Sequence, residues 1–542
     1  MPRTSHSGNL SGQAIQHASI ALAILALMLL ATTPLVSCSR KRPTPTATPR
    51  GNRPDPDPTV TVSVDRPESI VILVAEDILT LDPYRMISFH PEGSVAYHLW
   101  DTLTLIDDDL QVVPHLAESW RLINNFTWEF SLRQGISFHN GEPLNAEAVR
   151  FSAERAQSAD SLETLAEDIT LQSVEILDKY TVRFVTERPV ANLAYHVSAL
   201  EILPPIYYGE TDAEQLAGAP VGSGPYQVAA FAPGEQVVLE AVPTYWKGTS
   251  AWQKVIFRTV PDAEDRLQAL RDGEAALVTD LPPAASDEWD VANGKLEVTE
   301  STQRMLVGIH AIPGSPLANT RVRQALNYGI NVEPIVQEWL KGYGTRYGTW
   351  VNPPANNAEL QPWPYDPGRA KQLLREAGYP AGFATTLVAP RGLYYESEGI
   401  AKAIADQLGE LGITIQVEMV DWDAYVSRLL STTPPPLFLL GMNSRGDPLQ
   451  DVRNLSIDFP FNPTGWQNES FEDTVDRAQN SFNENVRLRA LNDAQAIAYD
   501  ETPWIWLWRQ YRFYGVAQQL DWIPRRDGLV HVHGLRVQVT ED

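Results

Sequence analysis

From about Ser69 onward, two hydrophobic periods alternate along the chain. Phe126-Thr127-Trp128-Glu129-Phe130-Ser131-Leu132 switches between apolar and polar residues at every step, the period of a half-buried strand. Val174–Leu177 and Thr181–Val185 flank Asp178-Lys179-Tyr180 and predict a hairpin. Asp366 and Pro367 supply an N-cap and a first-turn proline. Behind them Ala370, Leu373, Leu374 and Ala377 form one apolar stripe, and Gly378 supplies a left-handed stop. Ile400, Ile404, Leu408 and Leu411 line one face of a further helix. After Gly412 the period drops to two, with Ile413, Ile415 and Val417 on one side. A helix feeding directly into a strand is the grammar of a layered α/β domain. Ser470-Phe471-Glu472-Asp473 has the spacing of a capping box and predicts a helix start. Trp504-Ile505-Trp506-Leu507-Trp508 is apolar on both faces, which suits a strand in the middle of a sheet; the competing reading is an aromatic ligand platform.

The first 58 residues follow a different pattern. Ile20 to Ala31 is an unbroken apolar run of 12 residues. A spanning helix needs about 20, so the run predicts a signal-peptide core over residues 1–37 rather than a membrane anchor. Leu35-Val36-Ser37-Cys38 follows and resembles a bacterial lipobox, in which the cysteine becomes the new N-terminus and its sulfur carries diacylglycerol. Cys38 is accordingly the expected lipidation site, and it is the single cysteine of the chain. Residues 39–58 hold six prolines and five basic residues against two acidic ones, an extended solvated tether within the span 38–65. The expected location is extracytoplasmic, at the outer face of the cytoplasmic membrane or in the periplasm, anchored by lipid.

Composition narrows the function. The 542 residues carry a net charge of −26, which argues against nucleic acid as a partner because phosphate binding needs a dense basic surface. One thiol excludes an internal disulfide, a multi-cysteine zinc site and CxxC redox chemistry. Gly222-Ser223-Gly224-Pro225 lacks the spacing of a nucleophile elbow and reads as a turn. His531 and His533 would share one strand face, but no third ligand accompanies them, so no metal is expected. Asp107-Asp108-Asp109 reads as a solvated hairpin tip. No phosphate loop, dinucleotide loop or EF-hand pattern is present, and no cofactor is expected. None of these motifs points to an enzyme.

Several segments, in order, resemble the extracytoplasmic solute-binding proteins of the oligopeptide, dipeptide and nickel class, family 5, that serve ABC importers. Leu81-Asp82-Pro83 is similar to that family's opening element. Leu103 to Asp107 with Val113 to Trp120 is similar to its "LAESW" segment, and Trp128 to Leu144 to its "W.F.LR.G..F.dG.pl" block. Gly222 to Tyr226, Tyr245-Trp246, Val322 to Tyr328, Tyr365 to Tyr379 and Phe461 to Trp466 continue the likeness. The resemblance implies an α/β, bilobed, periplasmic-binding-protein-like (type II) fold over residues 66–542, with a hinged cleft between the lobes. The first lobe would comprise 66–110, 225–305 and 505–542, an inserted subdomain 111–224, and the second lobe 306–504, with crossings near 305 and 504.

The implied function is capture of a peptide-like or other small polar solute and its delivery to the permease subunits of an importer. The alternatives are a sensor of the same fold that hands its closed state to a receptor and, more distantly, an exported hydrolase. In peptide-binding members a segment like "GWxxDYxDP" offers an aspartate to the ligand's ammonium. Here that stretch is Gly441-Met442-Asn443-Ser444-Arg445-Gly446-Asp447-Pro448, one residue shorter and without that aspartate. A buried ammonium without a carboxylate is costly, so a peptide N-terminus held in that way is not expected. The expected ligand-binding residues are Met442, Asn443, Ser444, Arg445 and Asp447, together with Trp422, Tyr425 and Trp466. The lack of a histidine pair there speaks against nickel.

Overall fold

The computed structural model describes residues 68–86, 91–157, 171–287, 289–290, 293–444, 446–459 and 462–537. The expected signal peptide, Cys38, the tether and Arg445 lie outside the described residues. No helix among the described residues is long and apolar enough to cross a membrane.

Most predicted elements form where the periodicity puts them. The strand Thr127–Leu132 and the hairpin Leu171–Asp178/Thr181–Thr186 lie in one four-stranded antiparallel sheet with Ala117–Asn124, and helix Ala146–Ala156 packs against it. Helix Pro367–Glu376 starts with Asp366 accepting from the Arg369 amide, and Gly378 stands at φ +90° beyond its end. The helix expected from Ser470 is Glu469–Gln479. Its cap is Asn468, which accepts from the Phe471 amide, because the asparagine carbonyl reaches that donor from one turn back. His531 and His533 do not share a strand face. The chain turns there through Val532–Gly534, and His531 is buried beneath Tyr97.

An eleven-stranded sheet runs through the molecule, and two long antiparallel strands, Lys295–Ile309 and Trp504–Val516, form its middle. Trp504 to Trp508 is buried throughout, as a strand with neighbours on both faces should be. The ladder between the long strands is regular from Lys295 to Glu300 and resumes at Arg304, with one irregularity between them and a second between Met305 and Leu306. In the first, Ser301 Oγ donates to the Gln510 carbonyl (2.7 Å), and the Thr302 amide donates to Arg526 (2.8 Å).

Two large apolar cores lie on either side of that first irregularity. One gathers Met305, Val322, Leu373, Ile404, Leu439 and Trp508, and the other Ile72, Leu99, Phe130, Val255 and Tyr514. A smaller cluster joins Leu73, Leu270 and Phe513. The two large cores define a second and a first lobe. Residues 505–508 pack in the core that holds Met305 and Val322. The strand that carries them crosses between lobes only beside Gln510, and its partner crosses at 301–303.

Candidate functional site

Strand register locates the cleft without reference to any ligand. In the first lobe Ser69–Val74, Lys254–Thr259 and Leu277–Val278 are parallel. In the second lobe Ala384–Pro390, Thr414–Val420 and Leu437–Met442 are parallel. Leu437–Met442 runs alongside the long strand so that its last residue, Met442, stands opposite Arg304. From the other side the chain leaving Leu277–Val278 runs back along Trp504–Val516, and the Leu281 amide donates to Phe513. The carboxyl ends of both parallel sets therefore point at the same stretch of the long strands. Val298, opposite Phe513, and Arg304 are separated by about 20 Å of strand. Ligands of open α/β sheets bind outside such strand ends.

The segment after Met442 continues from that strand end of the second lobe. Met442 itself is buried and Asn443 half-buried. Ser444 Oγ donates to Asp451 Oδ2 (3.0 Å) and accepts from the Gly446 amide (3.1 Å). Asp451 Oδ1 in turn receives Arg304 Nη2 (2.9 Å), and both side chains are buried. Burial raises the Asp451 pKa, with Arg304 and Ser444 opposing it. Asp447 caps helix Pro448–Arg453 by accepting from the Leu449 amide (3.0 Å), and its other oxygen accepts from Asn192 of the first lobe. Gly446, at φ +101°, lies so close to Leu110 that an added Cβ would stand 3.1 Å from the leucine Cβ. The two lobes touch at these residues.

The expected aromatic residues divide. Trp422 opens helix Trp422–Leu429, directly after the strand end at Val420, and is half-buried, its indole nitrogen without a partner among the described residues. Tyr425 is fully buried and donates to the Leu439 carbonyl. Trp466 packs edge-on against Phe471 within the second core. Tyr425 and Trp466 are core residues, and the apolar stripe of each local element explains their position without a ligand.

A polar cluster on the first-lobe side was missed by sequence reasoning. Glu76 follows strand Ser69–Val74, Asp280 follows Leu277–Val278, and Arg512 and Tyr514 lie in the long strand. Arg512 Nη1 stands 3.6 Å from Asp280 Oδ1, and both side chains are buried. Burial and the Asp280 charge push the Glu76 pKa well above the usual carboxylate range. Tyr395, which follows strand Ala384–Pro390 of the second lobe, is pushed up by burial and then by Asp280, against the pull of Arg512 and Arg266. Arg512 stands opposite Thr299, next to the irregularity at 301–303, which places the cluster at the boundary of the lobes. The available signal was Arg509 and Arg512 standing in a mostly apolar strand, since buried arginines are rare without a partner. Among the described residues no group of three or more His, Cys, Asp or Glu is arranged to hold a metal ion.

With this geometry in view, residues 111–460 match the family model described as bacterial extracellular solute-binding proteins, family 5. The chain belongs to that family. Its members capture solutes and are not enzymes. The glutathione-binding protein GsiB of Salmonella typhi is 28% identical over 457 residues, covering 81% of this chain and 88% of that protein. The fold matches DppA from Helicobacter pylori, solved in complex with the peptide STSA, at a TM-score of 0.74 and 24% identity over 87% of this chain and 98% of that one. It also matches CtaP from Listeria monocytogenes at a TM-score of 0.79 and 20% identity, over 87% of this chain and all of that one.

Proposed function

We propose that this chain is the solute-capturing component of an ABC importer, held at the outer face of the cytoplasmic membrane through lipid on Cys38, and that it takes peptide-like solutes. The observation that carries the proposal is the convergence of both sets of strand ends on the irregularity at 301–303 and 510. A ligand there contacts both lobes at once, so it stabilises the closed arrangement and works by population shift. The permease subunits then read the closed form. Relatives named for glutathione and for peptides support a peptide-like ligand.

A thermal-shift screen of the purified protein against di- to pentapeptides, glutathione, oligosaccharides, opines and nickel–histidine tests this reading. A solute at about 100 times its Kd should add about 2.7 kcal/mol of stability. A screen in which peptide-like solutes give no shift and another class does would remove the ligand class. The anchor is checked separately: Cys38→Ser should release the protein from the membrane fraction.

A further inference from the structure

The second-lobe segment 441–447 offers no free carboxylate to a ligand, because Asp447 is engaged by Asn192 and the Leu449 amide. The first-lobe cluster has the opposite character. Arg512 is buried, yet its Nε and Nη1 make no hydrogen bond among the described residues, and 3.6 Å to Asp280 is too long for one. Among the described residues the Tyr514 hydroxyl, also buried, has no hydrogen-bond partner, and Glu76 Oε1 is shut off from solvent without a donor. Gly528, at φ +85°, leaves room for the guanidinium, since a Cβ there would stand 2.8 Å from Arg512 Cζ.

Neighbouring Arg266 shows what a buried arginine looks like when the fold alone satisfies it. Its guanidinium donates to the carbonyls of Val260, Pro261, Thr279 and Asp280. Arg512 has nothing comparable, and unmade bonds of a buried cation are costly. The chain also puts three carboxylates, Glu76, Glu92 and Asp280, within electrostatic reach of two guanidiniums, Arg266 and Arg512. Burial and the Asp280 charge disfavour the ionised form of Glu76, and an ammonium placed beside it would favour that form.

We propose that this cluster receives an α-amino-acid head group, with the ammonium at Glu76 and Asp280 and the carboxylate at Arg512 and Tyr514. This rests on the reading of the chain as a solute-capturing protein and narrows its solute. Asp280 and Arg512 are close neighbours, so the ligand's two charges must be close as well, as they are on one carbon. In a linear α-peptide the free ammonium and free carboxylate are separated by at least one peptide bond.

Calorimetric titration with γ-L-glutamylglycine, which keeps ammonium and carboxylate on one carbon, tests the assignment. Its N-acetyl and α-amide forms and trialanine serve as the other arms. The γ-glutamyl compound should bind, and N-acetylation or α-amidation should each weaken it roughly 10- to 100-fold. Glu76→Gln should weaken the parent compound but not its N-acetyl form, a selectivity that a merely structural residue would not produce. Tyr514→Phe should weaken the parent more than the α-amide. These ligand comparisons hold on the unmodified protein even if a variant folds poorly. If trialanine binds as tightly as the γ-glutamyl compound, or N-acetylation changes nothing, the head-group assignment is overturned while solute capture stands. If no compound in this set or in the wider screen binds, both are overturned.

Discussion

Asn192 donates to Asp447 across the boundary between the lobes, and Asp447 at the same time caps helix Pro448–Arg453. One carboxylate thus serves both the local start of a helix and a contact between two separately cored parts of the chain. Removing the donor should affect only the second task. Asn192→Ala is expected to leave helix content unchanged and to enlarge the radius of gyration of the ligand-free protein in small-angle scattering. Asp447→Ala should show the same expansion and lose about 1 kcal/mol more in urea unfolding, the cost of a missing cap. Equal stability in the two variants would mean that the cap contributes nothing.

Arg304 and Asp451 are a buried ion pair beside the irregularity in the long strands. Asp451→Ala strands a guanidinium in the interior and should cost about 3–5 kcal/mol in equilibrium unfolding. Replacing both partners with apolar residues of similar volume, Arg304→Met with Asp451→Leu, should cost less than the single change. A double variant less stable than Asp451→Ala would show that the pair itself is worth more than its desolvation.

The sequence announced the fold more openly than the site, and the two long strands show why. Trp504 to Trp508 reads as a central strand because every side chain must be apolar when both faces are covered, and that is a local property. Where the strand passes from one lobe to the other depends on register with Glu300 and Arg304, which no periodicity encodes. The capping residues of helix Pro367–Glu376 were legible because cap and donor lie three residues apart. Glu76, Asp280 and Arg512 were not, because they meet only after three distant segments pair in the sheet. Tyr425 and Trp466 pack in the second core, and sequence could not say so for a related reason: an aromatic residue has the same sequence signature in a core and in a pocket.

Gly222 and Gly224 explain themselves by close approach rather than by turn geometry. A Cβ on Gly222 would lie 1.8 Å from the Leu99 carbonyl oxygen, and one on Gly224 2.5 Å from that of His98. Both obstacles are backbone of the first-lobe core, which does not move cheaply. Between them Ser223 Oγ accepts from the Asp101 amide (3.3 Å), so the serine of this motif positions main chain. Gly222→Ala should therefore lower stability by about 1–3 kcal/mol, the usual cost of overpacking. Ser223→Ala should cost less, about 1 kcal/mol for one hydrogen bond. Thermal unfolding of the two variants side by side checks the order, and a larger loss for Ser223→Ala would reverse the assignment.

His98 is held in one neutral tautomer. Its Nδ1–H donates to the Ser94 carbonyl and its Nε2 accepts from the Val532 amide (3.1 Å), which ties helix Glu92–Leu99 to the C-terminal turn. Burial lowers its pKa from 6.5 to about 4 despite the Ser94 bond. His115, beside Asp101, is lowered by burial and by Lys247 and Arg133 to about 3. In both cases the unfolded chain binds more protons than the folded one between the two pKa values. Stability is therefore fully present above about pH 6.5 and is lost as pH falls towards 4 and below. Asp101 acts in the opposite sense, because burial raises its pKa to about 6 and favours the protonated folded form. Its contribution declines as pH rises from about 4 to 6, which offsets part of the histidine effect over that window. Each pKa unit is worth 1.36 kcal/mol, so the two histidines by themselves contribute a rise in Tm from pH 4.5 to pH 7, which the raised carboxyls Asp101, Glu76 and Asp451 oppose. His98→Gln cannot accept a proton, so it should flatten that rise while lowering Tm at pH 7 through the altered contact with Val532. An unchanged pH slope in His98→Gln would remove His98 as a source of the acid sensitivity.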